Sequence, residues 1–281
     1  MISLRIIFPL AFTLFFTTAA LAQEQIQWMT DLDEAKKLAL QTGKPLMYDF
    51  TAKWCGPCRH MEQVFWPKPE VVKMSKQFVC VKVDFDREKS FAGKYGINAI
   101  PNVVFTDPWG RGLLGQKGFG AGSEEEIFEK IRILPKDFSG LIEAGNALEN
   151  DSKDVRSLHK FAAFYQERKF FWLGNEFYKK LVKLEADPDK REAILLNLAF
   201  NYIRLGEPGE AIEKFEILQK EFPKSAQNDG FLYGIIYASV RKNKVQNAKK
   251  FLAELKTKFP SSKFIEPAEN AIAEAAEDSK K

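Results

Sequence analysis

Met47-Tyr-Asp-Phe-Thr-Ala-Lys-Trp-Cys-Gly-Pro-Cys-Arg-His60 is the stretch on which the rest of the chain depends. An apolar run reaches Trp54, and Cys55 and Cys58 flank Gly56-Pro57 where a helix is predicted to begin. Two residues between cysteines at a helix start let the sulfurs close a small ring without unwinding the helix, which suits reversible disulfide chemistry. Cys55 falls at the N-terminus, where unpaired N–H groups and the helix dipole favour a thiolate. It is therefore the expected attacking sulfur, and Cys58, further in and expected to be more buried, the resolving one.

Other chemistries of a Cys-x-x-Cys pair fit less well. A c-type haem needs His directly after the second Cys, but Arg59 stands there and His60 follows. A zinc site needs two more ligands, and only Cys80, His60 and the distant His159 are on offer. No cofactor or metal is expected. A permanently closed structural disulfide remains a second reading of the same spacing.

Asp49 through Arg59 resembles the active-site strand and helix start of the thioredoxin family, and the resemblance extends over roughly residues 30–133. It implies a thioredoxin fold, an α/β arrangement with a central mixed sheet and flanking helices. It also implies thiol–disulfide oxidoreductase activity. Asp49 falls where the family keeps a buried carboxylate beneath the resolving cysteine, and Lys82 where a lysine pairs with it. Ile100-Pro101 falls where the family has its cis-proline. Burial would raise the pKa of such an Asp and let it shuttle the proton of Cys58. The resemblance further implies a substrate groove formed by Trp54, Gly56, Pro57, Ile100, Pro101 and the loop around Gly118, pairing with an extended segment by strand addition. Read without the resemblance, Asp49 is a strand-end carboxylate facing water.

Met1–Ala22 carries one early charge, Arg5, then an apolar run from Ile6 to Phe16 and the small residues Ala20-Leu21-Ala22. That reads as a signal peptide cut after Ala22, which places the mature chain in the periplasm or outside the cell. The run is short for a bilayer, and no later stretch approaches about 20 consecutive apolar residues, so an integral membrane protein is not expected after cleavage. Charge is balanced, +4 from 42 basic and 38 acidic residues with the signs interspersed, which excludes a nucleic-acid surface. Three cysteines are too few for a disulfide scaffold, so the core must come from apolar residues, among them 25 Phe. Once Cys55 and Cys58 pair, Cys80 is left over within Phe78–Asp84, a predicted interior strand, as a buried and inert thiol.

Along the first domain, residues 23–134, a helix is predicted over Trp28–Gly43, capped by Thr30 or Asp31. A strand follows at Leu46–Thr51, the Cys-bearing helix runs to Trp66, and a short helix spans Val71–Gln77. Next come a strand at Val79–Asp84, a helix at Arg87–Tyr95, an extended segment Asn98–Phe105, an edge strand at Leu113–Lys117, and a helix from a Ser123 cap to Ile133. Residues 135–154 read as a linker with some helix. Over residues 155–281 strand signals vanish and a repeat with a period of 37 residues emerges: Gly174, Ala211 and Ala248; Tyr178, Phe215 and Leu252; Leu181, Leu218 and Leu255. Glu221-Phe-Pro-Lys-Ser225 and Lys258-Phe-Pro-Ser-Ser262 recur at the same offset. These units resemble tetratricopeptide-like helical hairpins, whose usual period is roughly 34. They predict a short all-α solenoid with a surface for a protein partner.

The expected function is an extracytoplasmic disulfide reductase acting on protein thiols and disulfides, fed by a membrane electron donor. Gly-Pro between the cysteines resembles the reducing members of the family. The alternatives are a disulfide oxidase or isomerase, and a helical-repeat scaffold whose redox site is incidental or regulatory.

Overall fold

The computed structural model describes residues 24–278, so the leader read at Met1–Ala22 lies outside the described residues. Ten elements make the first half: β1 (Trp28–Met29), α1 (Leu32–Thr42), β2 (Leu46–Thr51), α2 (Gly56–Val64), α3 (Pro69–Ser75), β3 (Val79–Asp84), α4 (Lys89–Lys94), β4 (Asn102–Thr106), β5 (Gly112–Lys117) and α5 (Ser123–Ile133). The strands form one mixed sheet in the order β1-β3-β2-β4-β5, with β1, β3 and β2 parallel and β4 antiparallel to both neighbours. This is a thioredoxin fold.

The sheet is covered on both faces, which explains why its centre reads as a nearly unbroken apolar run. Leu46, Tyr48 and Phe50 of β2 pack with Ala35 and Ala39 of α1 and Ala92 of α4. Met47 faces the other way, into a cluster with Met61 of α2 and Ile127 and Ile131 of α5. Because side chains alternate along a strand, Asp49 shares the face of Met47 and lies on the side covered by α2. It pairs in register with Lys82 of β3.

Several boundaries differ from the sequence expectation. Asp31, not Thr30, caps α1, accepting from the N–H groups of Asp33 and Glu34. The two residues ahead of the cap form a strand, because Trp28 and Met29 pair with Cys80 and Val81 across the sheet edge. Helix α3 starts two residues early, at Pro69, where a missing N–H costs nothing. Ser123 does not cap α5. Gly122 takes that place at φ 81°, and the Ser123 hydroxyl instead accepts from the Gly120 N–H at 2.9 Å.

Beyond α5 the chain is helical: α6 (Ile142–Asn150), α7 (Val155–Glu167), α8 (Phe171–Leu184), α9 (Pro188–Arg204), α10 (Pro208–Glu221), α11 (Asn228–Arg241), α12 (Val245–Lys258) and α13 (Ile265–Asp278). The repeat positions do one job each. Leu181, Leu218 and Leu255 are fully buried on the second helix of successive hairpins, and Phe161, Leu198 and Ile235 on the first. The recurring Phe-Pro-x-Ser segments end α10 and α12 in the same way, with Phe222 and Phe259 N–H groups bonded to the carbonyls of Leu218 and Leu255. Their serines then tie back to the preceding hairpin, Ser225 to Glu192 and Ser262 to Asp229, each at 2.7 Å. These two acids are also 37 positions apart, so the tie belongs to the repeat.

The segment read as a linker is part of the packing. Phe138, Leu141 and Ala144 are buried, and the Phe138 N–H bonds to the Gly43 carbonyl at 2.8 Å. One hydrophobic cluster runs without interruption from β4 and α5 through α6, α7 and α8 to α11. At its centre the β4–β5 turn plugs into the helices. Asp107, wholly buried, accepts from the Trp109 and Arg111 N–H groups at 2.9 Å, from the Arg111 guanidinium, and from the Tyr165 hydroxyl of α7. The Arg111 guanidinium lies against the rings of Trp109, Phe161, Tyr165 and Phe177. Gly145 of α6 admits the Trp109 ring where any side chain would collide with it.

Candidate active site

β2 is the central strand of the sheet, and from its C-terminal end Ala52, Lys53 and Trp54 lead to Cys55, where the chain turns into α2. The turn is closed by the Cys55 N–H on the Ala52 carbonyl at 3.1 Å. Cys55 is the N-cap of α2: its backbone is extended, and its Sγ accepts from the Cys58 N–H at 3.2 Å. Pro57 sits in the first helical turn, where its fixed φ suits the helix and its lack of N–H leaves no orphan donor. Cys55 and Cys58 form a disulfide with Cα atoms 5.3 Å apart. The expectation that Cys58 is the more buried sulfur is not met in this closed state: the two residues are 2% and 3% exposed. What separates them is their surroundings. The Cys55 sulfur takes an N–H at the positive end of a helix, a setting that stabilises charge on it.

The rim has three parts. Trp54 is 64% exposed, its ring held by an indole N–H bond to Asp86 at 2.8 Å. Gly56 and Pro57 are exposed beside it, and the Arg59 guanidinium reaches back to the Lys53 carbonyl at 2.6 Å. Opposite, the Ile100–Pro101 peptide is cis, and Ile100 packs on Ala52, Cys55 and Cys58. Pro101 is buried, while half-buried Ile100 packs on the cysteine cluster. The Pro101 carbonyl accepts from the Gly118 N–H at 2.9 Å, which ties the loop after β5 to the same wall. The Phe119 ring in that loop lies tilted against those of His60 and Phe65 at 6.0 and 5.7 Å.

Asp49 is 2% exposed, so the reading of it as a water-facing carboxylate is excluded. Burial pushes its pKa up from the usual 3.8 to about 6; the Lys82 ammonium, 3.3 Å away, opposes the rise and the nearby Glu62 carboxylate adds to it. The Trp66 indole also favours the charged form, although its N–H makes no hydrogen bond of regular geometry. A carboxyl that changes charge near neutral pH is able to take up and return a proton. Glu62, on α2 one turn beyond Cys58, binds the same ammonium more closely than Asp49 does. Sequence reading missed Glu62. The available signal was its i+4 spacing from Cys58, which puts both on one helix face. Two clefts of about 640 and 360 Å³ approach this group from either side, and Glu62 and Lys82 line both.

Cys80 is buried opposite Met47 in the sheet, with its S–H directed at the Ser75 carbonyl. Burial pushes its thiol up to about 12, so it offers no thiolate at neutral pH. His159 meets Glu185 at 3.0 Å on the helical domain, away from the disulfide.

The thioredoxin-like family matches residues 27–108 of this chain, and the tetratricopeptide repeat family matches residues 193–225, the span of α9 and α10 with the turn that follows. A thioredoxin of Mycoplasmoides gallisepticum is 33% identical over 93 residues, which is 33% of this chain and 87% of the relative. Thioredoxin H4 of Arabidopsis thaliana is 34% identical over 98 residues, 35% of this chain and 75% of that one. Protein disulfide isomerase-like 2-2 of Oryza sativa subsp. japonica is 24% identical over 173 residues, 62% of this chain and 40% of the relative.

Proposed function

Since this chain belongs to the thioredoxin family and is a thiol–disulfide oxidoreductase with Cys55 and Cys58 as its pair, we propose that it works as a disulfide reductase on protein substrates outside the cytoplasm. The observation that carries the reading is the Cys55 sulfur at the head of α2, taking the Cys58 N–H, beside a cis-proline wall, with a buried carboxyl on the sheet face that α2 covers.

In the reduced protein the Cys55 thiolate attacks one sulfur of a substrate disulfide. A Cys55–substrate bond forms and the other substrate sulfur leaves as a thiolate. Cys58 passes its proton to the Asp49 carboxylate and attacks the Cys55 sulfur. The intramolecular disulfide closes, the second substrate thiolate is released, and two electrons have moved to the substrate. Lys82 holds the Asp49 charge during the transfer. The groove of Trp54, Gly56, Pro57, Ile100 and Pro101 receives the extended backbone around the substrate cysteine.

The reducing direction rests on Gly56-Pro57 between the cysteines, and the location on the leader at Met1–Ala22. A membrane donor then returns electrons to the pair, and the helical repeats, built on the redox domain through one core, offer a surface to a protein partner. Among the described residues no helix is long and apolar enough to cross a membrane.

The test is the equilibrium potential of the Cys55–Cys58 pair in defined thiol buffers. A value near about −270 mV supports the reductase, whereas one near about −120 mV means that the chain donates disulfides. Mass determination of the exported chain checks the location: a mature start at Gln23 is expected, and a cytoplasmic chain retaining its leader overturns it.

A further inference from the structure

Lys82 is shared. Its ammonium stands 3.3 Å from the Asp49 carboxylate and closer still to that of Glu62. Exposure rises along the three side chains, from 3% for Asp49 through 22% for Lys82 to 45% for Glu62, so the line runs from the core to the surface. We infer that Glu62 is a positioning residue of the redox site: by drawing Lys82 outward it denies Asp49 a full counter-charge and so keeps that carboxyl available as a proton donor and acceptor. The inference rests on Asp49 serving Cys58 as proposed above, but its test does not depend on the direction of electron flow.

The physical argument is one of competition for a single cation. A carboxylate that alone owned an ammonium at this depth would ionise readily, because an opposite charge within about 4–6 Å lowers a carboxyl pKa by roughly 1–3 units. Here the more exposed Glu62 takes the closer approach, and its negative charge also opposes a second one nearby. Among the described residues, the ion pairs of Lys82 are those with Asp49 and Glu62. The remaining ionic groups lining the two clefts are Lys53, Arg59, Asp84, Arg87, Glu88 and Glu24. Of these, Glu24 is engaged by Lys76 at 2.6 Å and Asp84 by Arg87 at 3.8 Å, while Arg59 turns to a backbone carbonyl. Lys82 itself lies over the Trp28 ring at 4.9 Å, which limits its swing and fixes it between the two acids.

The experiment follows the Asp49 side-chain carboxyl directly, by carbon-13 NMR of the oxidised full chain across pH. In the native sequence its midpoint is expected near about 6. Glu62→Gln should lower that midpoint by roughly one pH unit, since Lys82 then belongs to Asp49 alone. Glu62→Asp should recover part of the shift. In a Lys82→Met background, Glu62→Gln should move the midpoint much less, because the cation through which Glu62 acts is gone. The acid limb of the thiol-exchange rate with a model peptide disulfide should shift with the NMR midpoint. An unchanged midpoint in Glu62→Gln overturns the inference. So does an equal shift in the two backgrounds, which would reduce Glu62 to a nearby charge. A shifted midpoint with an unmoved rate profile would keep the positioning role and refute the proton-shuttling role of Asp49.

Discussion

Replacing Asp49 by Asn should make the folded chain more stable at neutral pH while slowing its redox turnover. The folded carboxyl titrates near about 6 and the unfolded one near 3.8, with burial the main cause of the difference. Between these values the unfolded chain has released a proton that the folded chain keeps. Stability therefore falls as pH rises through the window and the loss is complete above the folded value. A gap of roughly two pH units corresponds to about 3 kcal/mol, on the order of a quarter to a half of the stability of an ordinary domain. Asn has the shape of the protonated carboxyl and cannot ionise, so the variant avoids that loss. Lys82 is not stranded by the change, because Glu62 holds it. Guanidinium unfolding of the oxidised protein at a series of pH values measures the effect. The variant should match the native chain at about pH 3 and exceed it by about 3 kcal/mol at about pH 8. Its resolving step should be slower by about 100-fold, the lower range for a lost general base. A stability difference that does not grow with pH would refute the assignment of Asp49 as a buried, reluctantly ionised acid.

Cys58→Ser should accumulate mixed disulfides through Cys55 that dithiothreitol releases, visible on non-reducing gels, and capture of no protein from a periplasmic extract would count against the reductase reading. Asp107→Asn should cost about 3 kcal/mol in the unfolding free energy, because the Arg111 guanidinium then sits among four aromatic rings without a counter-charge; a change within about 0.5 kcal/mol would show that the junction does not depend on the ion pair. Gly145→Ala should destabilise by about 1–3 kcal/mol and alter the near-ultraviolet dichroism of Trp109, whose ring occupies the space of the added methyl.

The local sequence was enough to place the redox centre. Cys55 and Cys58 need only a two-residue spacing at a helix start, and the helix start is written in Gly56-Pro57 and the apolar strand before it. The sheet and the helical hairpins were legible for a similar reason: alternation in β3 and a period of 37 residues in the helices survive in one dimension. Trp28-Met29 was not legible as a strand, because two residues carry no period and their pairing partner lies 52 positions away, at Cys80 and Val81.

What tertiary structure alone decided is how charges share space. Asp49 is a polar residue inside an apolar strand in any reading, but its proton affinity depends on burial and on who else claims Lys82. That is settled by β3 and α2 meeting at one point. Glu62 looks like any surface acid of a helix until α2 is laid over the sheet. Asp107, Arg111 and Tyr165 likewise show no pattern along the chain, since the turn and the helix that complete the cluster are 58 residues apart. Sequence fixes short-range geometry through spacing and period, and therefore determined where the sulfurs are. Electrostatic environment is set by groups distant in the chain, and therefore only the folded molecule determined how the proton of Asp49 is held.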